Sequence, residues 1–275
     1  MNLKGRVEFV AQTDVGQVRD HNEDYISCEG TLGVAVLADG MGGLNAGEVA
    51  SSMSVRMLMD ELTAWRGGES KVELSDVDTT GLTVEGRAVK HFIEKTNGAV
   101  YHVSQTQPQC RGMGTTVVVS VFHDNKLAVG HIGDSRMYRF RDDTLEQITK
   151  DHSFVQELID QGVVTKEEAR RSNRKNVVTR ALGVSPAVDA EVKEYKVKPG
   201  DIYLMCSDGL SDLVADEDIE AALQASGGNL AETASHLVDM ANAGGGKDNI
   251  SVVLARVLKP FPADNGIINK LTNWF

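Results

Sequence analysis

Cysteine is scarce in this chain. Its three cysteines, Cys28, Cys110 and Cys206, are odd in number, widely spaced and form no CxxC pair. That excludes a disulfide framework and points to a reducing compartment. Cys28 and Cys206 fall in apolar, strand-like segments, where a free thiol packs as a small hydrophobe. Proline is also rare, five against 27 glycines, a balance that favours tight turns over stiff linkers. No stretch approaches the roughly 20 apolar residues that a membrane-spanning helix needs. Met1–Arg6 leads into an alternating strand rather than the apolar core of a signal peptide. A soluble cytoplasmic protein with no membrane partner is therefore expected. Positive charge is short as well: 28 Lys and Arg stand against 40 Asp and Glu, for a net charge of −12. This disfavours nucleic acid as the main partner, because binding a phosphate backbone needs a basic face. At 275 residues the chain can build one large domain or two small ones.

What is present is a repeated design. Three short apolar runs end on an aspartate beside a glycine: Leu32–Ala38 before Asp39-Gly40, Leu127–Ile132 before Gly133-Asp134, and Ile202–Cys206 before Ser207-Asp208-Gly209. A near-continuous apolar run of this length, bounded by turn residues, reads as a strand buried on both faces. Its terminal carboxylate then sits where core meets water, and the glycine lets the backbone bend close to whatever lies there. Other strands are expected at Val7–Asp14, Asp24–Cys28, Thr115–Phe122, Arg136–Arg141, Glu191–Val197 and Ile250–Leu258.

Helices are expected between these groups. Asn45 can cap the first, with Ala46, Val49, Ala50, Met53 and Met57 on its inner face. A second runs from about Arg87 to Ser104 on Val89, Phe92, Ile93 and Val100. Short helices follow at Phe154–Gln161 and Lys166–Arg171, where Thr165 and Glu168 have capping-box spacing. The last pair falls at Asp218–Gln224 and Leu230–Ala241. Arg66–Gly86 holds four glycines and little periodicity, so it reads as a loop or flexible insertion. The tail Pro262–Phe275, with Ile267, Ile268, Leu271, Trp274 and Phe275, reads as a short helix packed back on the body. Strands in adjacent groups, with helix pairs between them, favour antiparallel sheets with helices layered outside.

The acids divide in a useful way. Asp39, Asp134 and Asp208 follow strands, whereas Asp24 and Asp248 precede them. All five share one rim only if the strands run antiparallel, as the strand grouping independently suggests. Two charges about 4 Å apart in a partly buried site repel by about 4 kcal/mol at an effective dielectric of about 20. Four or five such carboxylates stay ionised together only around a cation. An all-oxygen donor set selects magnesium, manganese or calcium over zinc or copper. Arg19, four residues before Glu23, offers either a bidentate fork for a phosphate or a surface ion pair with a neighbouring acid. Oxygen-bound metals beside an arginine point to phosphate-ester hydrolysis.

In their order and rough spacing, six segments resemble the metal-dependent protein phosphatases, the type 2C serine/threonine enzymes. These are Asp14 to Asp24, Asp39-Gly40-Met41-Gly42-Gly43, Gly114-Thr115-Thr116, Gly133-Asp134-Ser135-Arg136, Ser207-Asp208-Gly209-Leu210 and Asp248-Asn249. The form with Asp-Gly-Met-Gly-Gly resembles the bacterial members. The resemblance covers residues 5–258, implying one catalytic domain there and a tail at 259–275. It implies an α+β fold, a four-layer αββα sandwich of two antiparallel sheets flanked by helix pairs. It also implies two manganese or magnesium ions per chain: Asp39 bridging them, the Gly40 carbonyl on one, Asp208 and Asp248 on the other. Glu23 and Asp24 would act through bound water, with Asn249 in support. Arg19 would bind the substrate phosphate, and Asp134 with Asp208 would hold a third metal. The implied partners are phosphorylated proteins, the targets of a serine/threonine kinase, met by a monomer.

The segment 151–182 is similar to the family's flap beside the active site. Its Arg170, Arg171, Arg174, Lys175 and Arg180 either guide an acidic phosphopeptide or form a solvated face balanced by Glu167 and Glu168. One position departs from the family pattern. Bacterial relatives commonly carry a histidine after Asp-Gly-Met-Gly-Gly, proposed to protonate the leaving alcohol, and here it is Leu44. His21, His131 and His152 are the available stand-ins, with His152 the first choice. Two other functions compete with catalysis. A phosphoprotein-sensing module of the same fold would be separated from an enzyme by phosphopeptide turnover. A two-metal nuclease would show itself on plasmid or RNA.

Overall fold

The structure is a computed structural model that describes residues 2–43, 46–72, 74, 81–165, 168–169 and 177–263. Among these residues eleven strands form two sheets, and every pairing is antiparallel. The first sheet has the order β1 (Val7–Asp14), β11 (Ile250–Val257), β10 (Ile202–Cys206), β7 (Arg136–Arg141) and β8 (Thr144–Gln147). The second has β2 (Asp24–Glu29), β3 (Val34–Met41), β5 (Val117–His123), β6 (Lys126–Ile132) and β9 (Glu191–Lys196), with the two-residue β4 (Gly114–Thr115) on the end of β3. The central strands are the apolar runs. Val117–His123 is buried throughout, and so is Ile202–Cys206. The edge strands β8 and β9 alternate or are half-exposed, as a strand with one free side should be.

Helices cover both outer faces, giving the αββα sandwich. On the second sheet lie α1 (Ala46–Gly67) and α2 (Val84–Thr106). On the first lie α4 (Asp208–Ser211), α5 (Asp216–Ala225) and α6 (Leu230–Ala243). The short α3 (Phe154–Asp160) is capped by Ser153, whose hydroxyl accepts from the Gln156 N–H. Between the sheets Leu37, Val118, Phe122, Tyr203, Met205 and Val253 form a dry layer. Phe122 is its pivot, with edge-to-face contacts to Phe9 at 5.7 Å, Tyr203 at 5.6 Å and Phe261 at 6.3 Å.

Several elements differ from their expected form, each for a physical reason. The buried stripe of α1 is not the expected one: Val49 is exposed, and Ala46, Ala50, Ser54, Leu58 and Leu62 face the sheet, flanked by Gly47, Ser51 and Val55. Small residues line this stripe because the backbones touch. A Cβ on Gly40 would lie 2.2 Å from the Gly47 carbonyl oxygen. The ends of the supposed 66–86 loop are helical. Arg66 closes α1 with its side chain buried, donating to the Leu32 and Phe122 carbonyls. Strand β3 starts at Val34 rather than Leu32, because Gly33 turns the chain at φ +68°, and it runs on through Asp39 and Gly40 to Met41. The short elements β4, β8 and α4 carry too little periodicity to be read from sequence.

The Thr165–Glu168 capping box forms: the Thr165 N–H donates to Glu168 Oε2 at 2.7 Å, and the Glu168 N–H to Thr165 Oγ1 at 3.2 Å. Most of the Lys166–Arg171 helix, the Asn45 cap and the tail helix lie outside the described residues. Past the expected boundary at residue 258 the chain stays packed as far as Phe261, which is buried. No helix among the described residues is long and apolar enough to cross a membrane.

Truncating Phe122 to alanine should remove the centre of the inter-sheet layer. The expected cost is about 3–5 kcal/mol of unfolding free energy, read from urea denaturation of the metal-free protein.

Candidate active site

The antiparallel registers carry the acids to one end of the sandwich. In the second sheet Asp24 opens β2 directly opposite Asp39 on β3. In the first sheet β10 and β11 are neighbours, so Asp208 just after one and Asp248 just before the other meet. Asp134 comes from the turn between β6 and β7, which joins the two sheets. Arg19 lies in the β1–β2 loop. Arg19, Glu23, Asp39, Asp134, Asp208 and Asp248 together line a cleft of about 300 Å³, with Gly40, Met41, Gly42, Thr116 and Val178 completing its wall.

Asp39 is held by its backbone, Asp24 and Glu23 by their side chains. The Asp39 N–H donates to Thr116 Oγ1 at 3.1 Å, and its carbonyl accepts from the Thr116 N–H at 2.9 Å and the Thr115 hydroxyl at 2.8 Å. Ser207 donates its hydroxyl to Asp24 Oδ2 at 2.8 Å, while Asp24 Oδ1 is buried without a partner. Glu23 accepts from the Gly47 and Glu48 backbone N–H groups, at the N-terminal turn of α1 where the helix dipole favours negative charge. Arg19 reaches Asp248 Oδ2 through Nη2 at 2.7 Å, and its side chain remains 49% exposed.

Asn249 does more than its sequence neighbourhood suggests. Its Oδ1 accepts the Glu23 N–H at 2.8 Å, and its Nδ2 donates to the carbonyls of Val15 at 3.0 Å and His21 at 2.9 Å. One buried amide thus fixes both ends of the loop that carries Arg19 and the start of the strand that carries Asp24. Ser207 and Thr116 support the site in ways that residue type alone does not announce. Their one signal in the sequence is membership of the short Gly-Thr-Thr and Ser-Asp-Gly segments.

The electrostatics show that the cluster lacks compensating charge. Burial pushes Asp24 up to about 7 against hydrogen bonds from Ser251 and Ser207, with Asp208 and Asp248 adding to the rise. Burial, then repulsion from Asp24, Asp208, Asp134 and Asp248, raises Asp39 well above the carboxylate range. Burial, then Asp208 and Asp151, pushes Asp134 up to about 8. An all-oxygen set, buried carboxylates that resist ionising and an orphaned Asp24 oxygen together fit hard divalent cations. Gly40 lines the same cleft, its backbone packed between Gly47 and the Glu23 carbonyl with no space for a side chain.

The expected histidine stand-ins are elsewhere. His21 is exposed, His131 and His152 are buried, and no histidine is among the described residues that line the cleft. Leu44, Arg170, Arg171, Arg174 and Lys175 lie outside the described residues; Arg180 is exposed.

An αββα sandwich that gathers buried carboxylates and one arginine at the mouth between its sheets defines a metal-dependent phosphatase architecture. The family model for protein phosphatase 2C matches residues 15–254, and the chain belongs to that family. It is 39% identical over 252 residues to the serine/threonine protein phosphatase PstP of Mycobacterium tuberculosis H37Rv, covering 92% of this chain but 45% of PstP. It is 35% identical over 246 residues to the serine/threonine phosphatase stp of Listeria monocytogenes EGD-e, covering 88% of this chain and 93% of stp. The crystal structure of the PstP catalytic domain in complex with two manganese ions superposes with a TM-score of 0.77 at 38% identity, over 92% of this chain and 99% of that one.

Two outcomes follow from the site's construction. Asn249→Ala should weaken manganese binding about 10- to 100-fold, measured by calorimetry, because it unfastens Glu23 and the Arg19 loop together. Metal-free protein should also lose stability as pH rises. Asp24 and Asp134 hold their protons more tightly in the folded chain than in the unfolded one, so each contributes fully below about pH 4. That contribution is lost on the way to about pH 8, with a slope of up to about 1.4 kcal/mol per pH for each acid. The melting temperature should fall across that window without metal and hold when manganese saturates the site.

Proposed function

We propose that this chain is a manganese- or magnesium-dependent protein serine/threonine phosphatase. It hydrolyses phosphoserine and phosphothreonine esters by in-line attack of water, with no phosphoenzyme. The observation that carries the reading is the shared cleft, in which Asp39 from one sheet faces Asp208 and Asp248 from the other with Arg19 at the rim. The family and the phosphatase names of the relatives support it, as do the two manganese ions in PstP. On this reading residues 5–258 are the catalytic domain, 151–182 the flap and 259–275 the tail.

Asp39 would bridge two ions, with the Gly40 carbonyl on one and Asp208 and Asp248 on the other. Glu23 and Asp24 would act through water, and Asp134 with Asp208 would hold a third ion. Such ions, when bound, polarise phosphoryl oxygens and acidify water. The chain itself does the rest. Arg19 leaves Asp248 for the phosphate, to which its guanidinium gives two N–H bonds in a fork. Thr116 and Asn249 keep Asp39 and Glu23 from shifting as charge builds. Cleavage releases an alkoxide and inorganic phosphate, and the alkoxide must take a proton. With no histidine among the described cleft residues, that proton comes from water, which favours activated aryl phosphates over alkyl ones. The substrates are phosphoproteins modified by a serine/threonine kinase, and the enzyme works as a cytoplasmic monomer.

The full chain with manganese should release phosphate from p-nitrophenyl phosphate and from a phosphothreonine peptide. Asp39→Asn and Asp208→Asn should lose about 10²-fold or more, the scale on which transition-state charge stabilisation is lost. Arg19→Ala should lose about 10- to 100-fold in kcat/KM, matching about 1.5–3 kcal/mol for a charged hydrogen bond. Manganese binding without any phosphate release would support the phosphoprotein-sensing module instead.

A further inference from the structure

A second cluster of metal-type side chains lies behind the cleft. His131 on β6, His152 at the entry to α3 and Glu191 on β9 bring their ligand atoms within 4.8 Å of one another. The geometry argues against a metal there. The two imidazoles are stacked, with centroids 4.7 Å apart and planes 14° from parallel. An imidazole nitrogen binds a metal near the plane of its ring at about 2.0–2.1 Å. Two stacked, near-parallel planes share no such point.

The hydrogen bonds give these rings other work. His131 donates Nε2–H to the Lys150 carbonyl at 2.8 Å. His152 accepts the Gly133 N–H on Nδ1 at 3.1 Å, so its own proton sits on Nε2, which faces Glu191 Oε2 at 3.6 Å. Beside His152 and Lys193, the Glu191 carboxyl is held down at about 2 and stays ionised, which favours the same tautomer. The His152 backbone N–H also donates to the Gly133 carbonyl at 2.9 Å. One residue therefore grips both polar groups of Gly133.

We propose that His152 is a positioning residue for Asp134, coupling the flap stem to the metal cleft; this rests on the reading of Asp134 as a ligand. Gly133 directly precedes Asp134 and adopts φ +108°. On its other side a Cβ would lie 2.6 Å from the Thr116 side chain. The turn is thus pinched between His152 and Thr116, and Thr116 is bonded in turn to Asp39. His152 also accepts the Thr179 N–H on its carbonyl at 2.8 Å, beside Val178 of the cleft wall. The neighbouring Asp151 is fixed separately by a bidentate pair with Arg136, so removing the imidazole frees the Asp134 turn without releasing the stem.

The test compares His152→Ala, His152→Asn and Asp134→Ala in the full chain, using manganese alone as the probe. Asparagine keeps an acceptor near the place of Nδ1. Calorimetry should show the weakest manganese site lowered about 10-fold or more in His152→Ala, the tighter sites unchanged, and most of the loss restored in His152→Asn. Hydrogen exchange at 133–136 should speed up in the alanine variant and return in the asparagine one. Nitrogen NMR of the parent protein should find His152 as the Nε2–H tautomer. Wild-type manganese binding in His152→Ala, or an Nδ1–H tautomer, overturns the proposal. If Asp134→Ala also binds like wild type, the third-site reading itself has failed; if Asp134→Ala is weakened and His152→Ala is not, only the positioning role has. Should His152→Ala not fold, His152→Asn and the tautomer still decide.

Discussion

Carboxylate crowding is the constraint on which this structure turns. Asp39, Asp134, Asp208 and Asp248 line one small cleft, and Asp24 lies buried opposite Asp39 on the neighbouring strand. Asp24, Asp39 and Asp134 are pushed toward their neutral forms by burial before any mutual repulsion is added. Folding alone gives no reason to gather them, since each buried acid without a countercharge lowers stability. The arrangement makes sense as a socket whose missing charge arrives with the cation. Everything around it then serves to hold acids that would otherwise move apart: the Ser207 hydroxyl on Asp24, the Thr115–Thr116 pair on Asp39 and the helix N-terminus on Glu23.

The restraints come from both sheets. Thr116 holds Asp39 from within its own sheet, whereas Asn249, just before β11 of the first sheet, fastens Glu23, just before β2 of the second. The cleft spans the seam between them, so its width depends on the thickness of the dry layer that Leu37, Phe122 and Tyr203 build. Sheets packed face to face stand about 10 Å apart, and antiparallel strands let carboxylates reach the seam from strand ends and strand beginnings alike. A parallel sheet would have presented only one kind of end at this rim.

Much of this was legible in the residues. The apolar runs at Val117–His123 and Ile202–Cys206 are buried on both faces, and the opposite placement of Asp24 and Asp39 along their strands demanded the antiparallel register that the fold has. What stayed hidden obeyed rules other than apolar periodicity. Helix α1 presents glycine, serine and alanine because Gly40 and Gly47 bring two backbones into contact, so counting large apolar residues pointed to Val49, which is exposed. Helix α4 has four residues and β4 two, too few for any period to register. Asn249 reads as one polar residue beside an aspartate, because its three partners are backbone groups that only the fold brings near.

The histidines teach the opposite lesson about composition. In sequence, a histidine in a phosphatase-like chain suggests an acid catalyst; in the fold, two within ligand reach of a carboxylate suggest a metal. Here neither His131 nor His152 lines the cleft, and their stacked rings disfavour a shared metal, because ring orientation decides what an imidazole can do. Stacked on each other, each with one nitrogen committed to a backbone group, they join the segment at Lys150–His152 to the strand β6 and the Gly133 turn that follows it. No histidine stands among the described residues of the cleft wall. That division follows from the crowding as well. A site already short of positive charge relies on neutral, directional hydrogen bonds to hold its acids, and a neutral imidazole accepting a backbone N–H holds the Asp134 turn without adding charge to it.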